Sequence, residues 1–354
     1  MFGLYFRELY TIRDLKTIIY IALKISFCTT VMNRLHHLKE TLPMNVADNA
    51  TTENIEFVIL DYNSTDGLET WMQQNFDIFC GKVIYFKTTQ PTFYNRSHSR
   101  NMAFRLASGD VVCNLDADNY TGKGFAEYLT AMFQQHNSIF IAPQNNNLSD
   151  TFGKITTTKN DFLQIRGYDE AIKGYGFEDN DLKNRLTNLG RTEATFNNLE
   201  FLKAITHTED ERIKNEYIYN HHQSIFVEKL TFWQSKLTIL YQDNTYESAL
   251  IIDSMFSNSN IKIETIHPLE FLNRYYISEN SIEKGLFNED LVANSTIITK
   301  QETLISTINF YSQLSNKLRF MENFHHKRTT VNNESFGNGI VLKNFDYTNP
   351  IMLA

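Results

Sequence analysis

An α/β fold built around a mostly parallel sheet is the architecture this sequence predicts, and three observations predict it. Between Lys24 and about Ile141, short apolar β-rich runs alternate with helix-like stretches. Polar residues gather directly after those runs, where open α/β sheets bind their ligands. At 354 residues, 42% of them hydrophobic and 21% charged, with only 14 Gly and 5 Pro, the chain has a globular composition and room for a large domain plus an appendage.

The chain is therefore divided into an N-terminal helix over 1–23, an α/β domain over 24–222 and a smaller C-terminal α/β region over 223–354. In the opening segment Leu9, Ile12, Leu15 and Ile19 recur at helical spacing. That helix packs on the domain or, in the alternative, lies peripherally on a membrane surface. No secretory signal pattern is present, and the longest apolar run, Ile18 to Leu23, is too short to span a bilayer, so the expected location is cytoplasmic. Cys28, Cys80 and Cys113 are odd in number and widely spaced, and read as reduced core residues. A net charge of -8 argues against a nucleic-acid partner and requires any anionic ligand to be held locally.

The predicted strands are Lys24–Thr30, Ile55–Leu60, Lys82–Phe86, Val111–Leu115 and Ser138–Ala142. The first ends in Thr29-Thr30-Val31-Met32-Asn33-Arg34, followed by a helix through Leu35, Leu38 and Leu42 that stops around Pro43. The second runs into Asp61-Tyr62-Asn63-Ser64-Thr65-Asp66-Gly67, either a plain strand-to-helix turn or a place where Asp61 meets the edge of a base. Arg96 and Arg100 near the next helix start suit a diphosphate or, equally, a solvated helix face.

The fourth strand emerges into Asp116-Ala117-Asp118. Two carboxylates this close call for a cation, and Mn²⁺ or Mg²⁺ would also bridge to a diphosphate. Further on, Gly174-Tyr175-Gly176-Phe177-Glu178-Asp179-Asn180-Asp181 opens a helix with three acids, more than favourable charge at a helix start requires. A flexible aromatic loop delivering adjacent carboxylates fits a sugar against Tyr175 and a base, Glu178 or Asp179, at an acceptor hydroxyl. His207 follows an apolar stretch, a context that usually means a surface histidine.

In this order, the pieces resemble the inverting glycosyltransferases of the GT-A (nucleotide-diphospho-sugar transferase, Rossmann-like) fold, with helices on both faces of the sheet. The acidic block is similar to the Gly-Trp-Gly-Gly-Glu-Asp-Asp-Asp signature of β-1,4-galactosyltransferases and chondroitin-polymerase domains. The resemblance covers roughly Lys24 to His207. It implies a UDP-sugar donor, a divalent metal, and a glycan or glycolipid acceptor. It places Arg34 and Asp61 at the nucleoside, Arg100 near the phosphates, and Asp116 and Asp118 on ribose and metal, with Asp118 the principal ligand and Thr29 among the donor-binding residues. His207 would complete the metal site. Asp179 would be the catalytic base and Glu178 an acceptor contact, with Tyr175, Gly176 and Phe177 walling the sugar. Tyr175 and Phe177 stand where the signature has Trp and Gly, so the resemblance leaves the donor sugar open.

Two other functions use similar parts. A sugar nucleotidyltransferase would show a glycine-rich phosphate loop near its first strand, and Thr29 to Arg34 contains no glycine. A noncatalytic nucleotide- or glycan-binding protein would have no use for Asp118, Glu178 and Asp179 together. Beyond His207 the pattern reads as Ile225–Trp233 helical, Leu237–Tyr241 strand, Ser248–Phe256 helical, Ile261–Ile266 and Ser295–Thr299 strands, Glu302–Phe324 helical and Gly339–Leu342 strand. Paired His221-His222 read as a solvated face.

Overall fold

In the computed structural model the described residues are 23–144, 149–196, 198–254, 274–278 and 280–354. The expected N-terminal helix falls outside them except for its last residue, as does the expected strand Ile261–Ile266. The strands are β1 (Ile25–Val31), β2 (Ile55–Tyr62), β3 (Val83–Thr88), β4 (Val111–Asn114), β5 (Asn119–Tyr120), β6 (Ile139–Ala142), β7 (Thr156–Thr158), β8 (Thr192–Thr195), β9 (Lys203–Ala204), β10 (His222–Lys229), β11 (Gln234–Tyr241), β12 (Thr245–Asp253), β13 (Tyr275–Ile277), β14 (Glu283–Leu286), β15 (Thr296–Ile297), β16 (Gly339–Lys343) and β17 (Asp346–Leu353). The helices are α1 (Leu35–Asp48), α2 (Leu68–Asn75), α3 (Arg96–Leu106), α4 (Phe125–Gln135), α5 (Lys159–Gln164), α6 (Glu178–Asn188), α7 (Glu209–Ile213), α8 (Tyr217–His221) and α9 (Gln301–His325).

The main sheet has the order β17-β16-β3-β2-β1-β4-β7-β6-β8, with β3, β2, β1 and β4 parallel at its centre. Every residue of β1 and β2 is buried, as expected where helices cover both faces. Alternate side chains serve the two cores. Phe27 and Phe57 pack with Leu38 and Phe125 on one side, and Cys28 and Val58 pack with Met102, Phe162 and Leu182 on the other. All three cysteines are free; Cys28 and Cys113 are buried as expected, whereas Cys80 is exposed. In-register pairing of Val31 with Asp61, and of Cys28 with Asn114, brings the carboxyl ends of β1, β2 and β4 to one edge.

Three elements depart from expectation. Helix α1 runs through Pro43 to Asp48, because the carbonyl that proline leaves unpaired belongs to Lys39, an exposed residue that water can reach. The segments read as helices at Ile225–Trp233 and Ser248–Phe256 are largely the strands β10 and β12. They flank β11 in a six-stranded antiparallel sheet, where Ile225, Ile239 and Ile251 meet Tyr311 and Leu314 of α9. The chain then returns to the first sheet, β16 pairing antiparallel with β3. No helix among the described residues is long and apolar enough to cross a membrane.

Candidate active site

The strand-end edge holds the residues flagged for a nucleotide, most of them already engaged. The Thr29 hydroxyl donates to the Leu115 carbonyl at 2.7 Å and so fixes where the loop at Asp116 begins. Asp61 is fully buried, accepting the Ser64 N–H at 2.7 Å on one oxygen and the Tyr85 hydroxyl at 2.6 Å on the other. Burial pushes its carboxyl above the usual range. The turn thus holds one oxygen and β3 the other. Arg34 donates to the backbone carbonyl of Glu211 and lies 3.5 Å from that residue's carboxylate. Burial lowers its pKa.

Asp116 to Asn119 is a loop held from both sides. Thr41 and Asn45 of α1 donate to the carbonyls of Ala117 (2.7 Å) and Asn119 (2.9 Å). The short ribbon β5–β9, continued by the Ile205 N–H on the Asp118 carbonyl at 2.8 Å, carries the His207 segment against it. Nε2 of His207 consequently lies 2.8 Å from Oδ2 of Asp118. Beneath the ribbon, Lys154 is fully buried, its ammonium donating to the Tyr120 (2.7 Å) and Phe201 (2.5 Å) carbonyls. Burial pulls its pKa down to about 8.

Arg100, on α3, gathers acids from two separate segments. Its guanidinium is 3.1 Å from Asp116, 3.0 Å from Asp179 and 3.5 Å from Glu178, and it lies over the Tyr168 ring. Three carboxylates thus share one cation. Burial would raise the Asp116 carboxyl, but Arg100 and Asn114 outweigh it and hold the group below its usual range. Asp179 goes the other way. Burial, reinforced by Glu178 and Asp116, pushes it up to about 7 against the pull of Arg100. Oε2 of Glu178 is buried with no hydrogen-bond partner. Gly153 makes the cluster sterically feasible: a Cβ there would sit 3.0 Å from Arg100, 3.1 Å from Asp116 and 3.2 Å from Asp179.

Helix α9 positions the acid loop. Asn316 accepts the Lys173 N–H at 3.1 Å and donates to the Tyr175 carbonyl at 3.3 Å, while Asn323 bridges Asp169 and Asp181 at 2.8 Å each. Asp181 also takes Arg185 at 2.7 Å, so the third acid of the block is a fully buried structural brace. Phe177 adopts a left-handed backbone (φ 68°) just before Glu178, and its ring packs on Phe320 of α9 at 5.8 Å. That conformation costs a non-glycine residue about 1–2 kcal/mol and is the one glycine takes freely. It explains how phenylalanine can stand where the related signature has glycine: the packing on α9 offsets the strain. Gly176, at φ 101°, makes the preceding turn. The Tyr175 ring lies against the guanidiniums of Arg96 (5.0 Å) and Arg212 (5.5 Å), with its hydroxyl accepting from Arg212 at 2.8 Å.

Arg96, read as a diphosphate or surface arginine, pairs with Glu216. Several other participants carried no assigned role in the sequence, among them Arg212, which pairs with Asp150. His36 and His37, at the start of α1, come within 4.8 Å of Glu211 in ligand-atom spacing, and the His37 ring lies 5.8 Å from that of His207. Burial lowers His37 to a pKa of about 4, so its imidazole is neutral. The adjacent histidines straight after a strand-end arginine were the available signal. Gly153 and Lys154 gave none, because what matters is where the segment packs.

Residues 26–196 match the family model described as Glycosyl transferase family 2. No curated protein matches the chain. Among solved structures, similarity extends to S. aureus TarS 1-349 at 16% identity, covering 54% of this chain and 62% of that one with a TM-score of 0.42. It extends also to the mannosyltransferase PcManGT from Pyrobaculum calidifontis in complex with GDP-Man and Mn²⁺ (16% identity, 49% and 55% covered, TM-score 0.42). TarS in complex with UDP-GlcNAc gives 15% identity, 53% and 63% covered, and a TM-score of 0.40. The chain spans less than two thirds of the length of each of these structures.

Proposed function

We propose, from the Glycosyl transferase family 2 domain that the chain carries over residues 26–196, that this glycosyltransferase is metal-dependent and inverting. It moves a hexose or N-acetylhexosamine from a UDP-sugar to a hydroxyl of a glycan or glycolipid, in the synthesis of a polysaccharide or glycoconjugate. The observation that carries the mechanism is Asp179, a buried carboxylate pushed up to about 7 beside an unpartnered oxygen of Glu178. A general base works best when its pKa lies near the working pH.

In this mechanism an acceptor hydroxyl donates to Asp179, which removes its proton as the oxygen attacks the anomeric carbon, with Glu178 beside it as an acceptor contact. The bond to the diphosphate breaks on the opposite face, so configuration inverts. Arg100 keeps both acids and Asp116 in one geometry throughout. The loop Tyr175-Gly176-Phe177 walls the sugar.

The residues fit a divalent ion. Each arginine of the site already has an acid partner: Arg34 with Glu211, Arg96 with Glu216, Arg100 with three acids, Arg212 with Asp150. No spare guanidinium is left among these four for an anionic donor. Asp118 and His207 turn a carboxylate oxygen and an imidazole nitrogen toward each other, a donor set that Mn²⁺ accepts. When bound, such an ion supplies the positive charge that a departing diphosphate needs.

Release of free UDP across a panel of UDP-hexoses and UDP-N-acetylhexosamines, with Mn²⁺ or chelator and pooled sugar acceptors, tests the assignment. Metal-dependent release with one donor is expected; no binding of any of these donors with Mn²⁺ present would remove it. In the same assay Gly153→Ala is expected to lower turnover by about tenfold or more, since displacing a catalytic group by a fraction of an ångström is costly. Its melting temperature should stay close to that of the parent. Unchanged turnover would show that Arg100, Asp116 and Asp179 need not hold their present spacing.

A further inference from the structure

A cleft of about 1710 Å³ opens between the two sheets, well above the roughly 300–1,000 Å³ typical of small-molecule sites. One wall is the segment before α3, another is α9, and the third is formed by β12 and β14. The cleft reaches the candidate site at two points, the acid loop and the end of β1. Gly174 lines it, with Oε2 of Glu216 and Oγ of Ser312 each 3.1 Å from the position of a Cβ on that glycine. Tyr94 lines it as well, and its hydroxyl lies 2.7 Å from that of Thr30 at the end of β1.

Its lining has a particular chemistry. Phe93, Tyr217 and Tyr241 form a row, with Phe93 edge-on to Tyr217 at 5.4 Å and Tyr217 at 5.5 Å from Tyr241. Tyr246 stands nearby on β12. Such rings offer flat apolar faces with a polar rim, complementary to the C–H face and hydroxyl edge of a sugar. Two lining hydroxyls, those of Ser312 and Thr88, belong to residues only 1% exposed and have no hydrogen-bond partner. Both oxygens are closed to solvent, so a ligand's hydroxyls would bond instead to the more open polar side chains of the lining, Thr92, Ser315 and Asn338. Lys284 pairs with Glu247 and Glu216 with Arg96, and the remaining lysine of the lining, Lys173, is a single exposed cation, too little positive charge to favour a polyanion over a neutral ligand.

We propose that this cleft binds the acceptor as an extended, neutral oligosaccharide, several sugar rings long, that leads its terminal hydroxyl past Gly174 to Asp179. Its role as the acceptor site rests on the glycosyltransferase function proposed above; its binding of a glycan does not.

The test uses the full chain, with UDP and Mn²⁺ but no donor sugar, on a printed array of neutral and acidic oligosaccharides and their constituent monosaccharides. Wild type is expected to retain a neutral oligosaccharide and not its monosaccharide. Tyr217→Ala and Tyr246→Ala should each weaken that binding by about tenfold, equivalent to roughly 1.4 kcal/mol. Tyr246→Phe, which keeps the ring, should restore it. Affinity for UDP, measured in parallel, should be the same in all variants. No glycan bound, equal capture of the monosaccharide, or unaltered binding in both alanine variants would overturn the proposal. Glycan capture without UDP binding would leave the cleft standing and bring down the donor assignment alone.

Discussion

Asp179→Asn is expected to reduce turnover by about 10²–10⁴-fold while leaving UDP-sugar binding near the wild-type level, because the amide keeps the shape of the carboxylate and loses only its basicity. Wild-type kcat should rise with pH through about 7, the value at which burial leaves this group, since the base acts only when ionised. The same shift has a consequence for stability. A carboxyl whose folded pKa is raised binds its proton more tightly in the folded state. The stability this contributes is fully present below its ordinary value of about 3.9 and is lost as pH rises through about 7. Above that pH its negative charge is buried where two other carboxylates, Asp116 and Glu178, already share Arg100. The asparagine variant should therefore melt higher than wild type above pH 7 and gain nothing near pH 4, when thermal melts are run at both. Normal turnover in the variant would remove Asp179 as the base. A lower melting temperature at high pH would mean that its pairing with Arg100 outweighs the crowding of acids.

The parts of the fold that were legible from the sequence are those whose signal is local. β1 and β2 read directly because both faces are buried and nearly every position is apolar or small, Glu56 and Asp61 of β2 excepted, and Asp116 and Asp118 follow because a strand must end before a polar pair. β10 and β12 misread for the opposite reason. Ser248-Ala249-Leu250-Ile251-Ile252 presents an apolar cluster with no period-2 alternation, and strand form is imposed by neighbours on either side. The polar residues of α9 were equally silent: Asn316, Arg319 and Asn323 look like a solvated face, yet they brace the loop that carries Glu178 and Asp179. Asp61 shows the limit in the other direction. A strand-end aspartate followed by Ser and Thr suggested both a turn and a base contact, and only the packed structure reveals that one oxygen takes the turn's Ser64 N–H and the other the Tyr85 hydroxyl of β3.

Asp118→Ala should abolish the metal dependence of donor binding. Titration of UDP with Mn²⁺ is expected to show a loss of at least about 100-fold, above the 10–100-fold typical of removing a group that merely supports a metal ligand. His207→Ala should lose affinity in the same direction. The argument is one of charge. The four arginines of the site are each matched to an acid, so a diphosphate arriving without a cation would meet Asp116, Asp118, Glu178 and Asp179 with nothing left over to neutralise it. In the parent, chelator should therefore do to UDP binding what the Asp118 substitution does. Once Asp118 is gone, chelator should have little further effect. Mn²⁺ binding followed by electron paramagnetic resonance gives a readout independent of turnover. If wild type binds UDP equally well in chelator, or Asp118→Ala retains Mn²⁺-dependent affinity, the anion is held by some other arrangement. One of the paired arginines would then have to exchange its carboxylate for the donor, and Arg34, held by Glu211 at the strand-end edge, is the first whose substitution should weaken UDP binding.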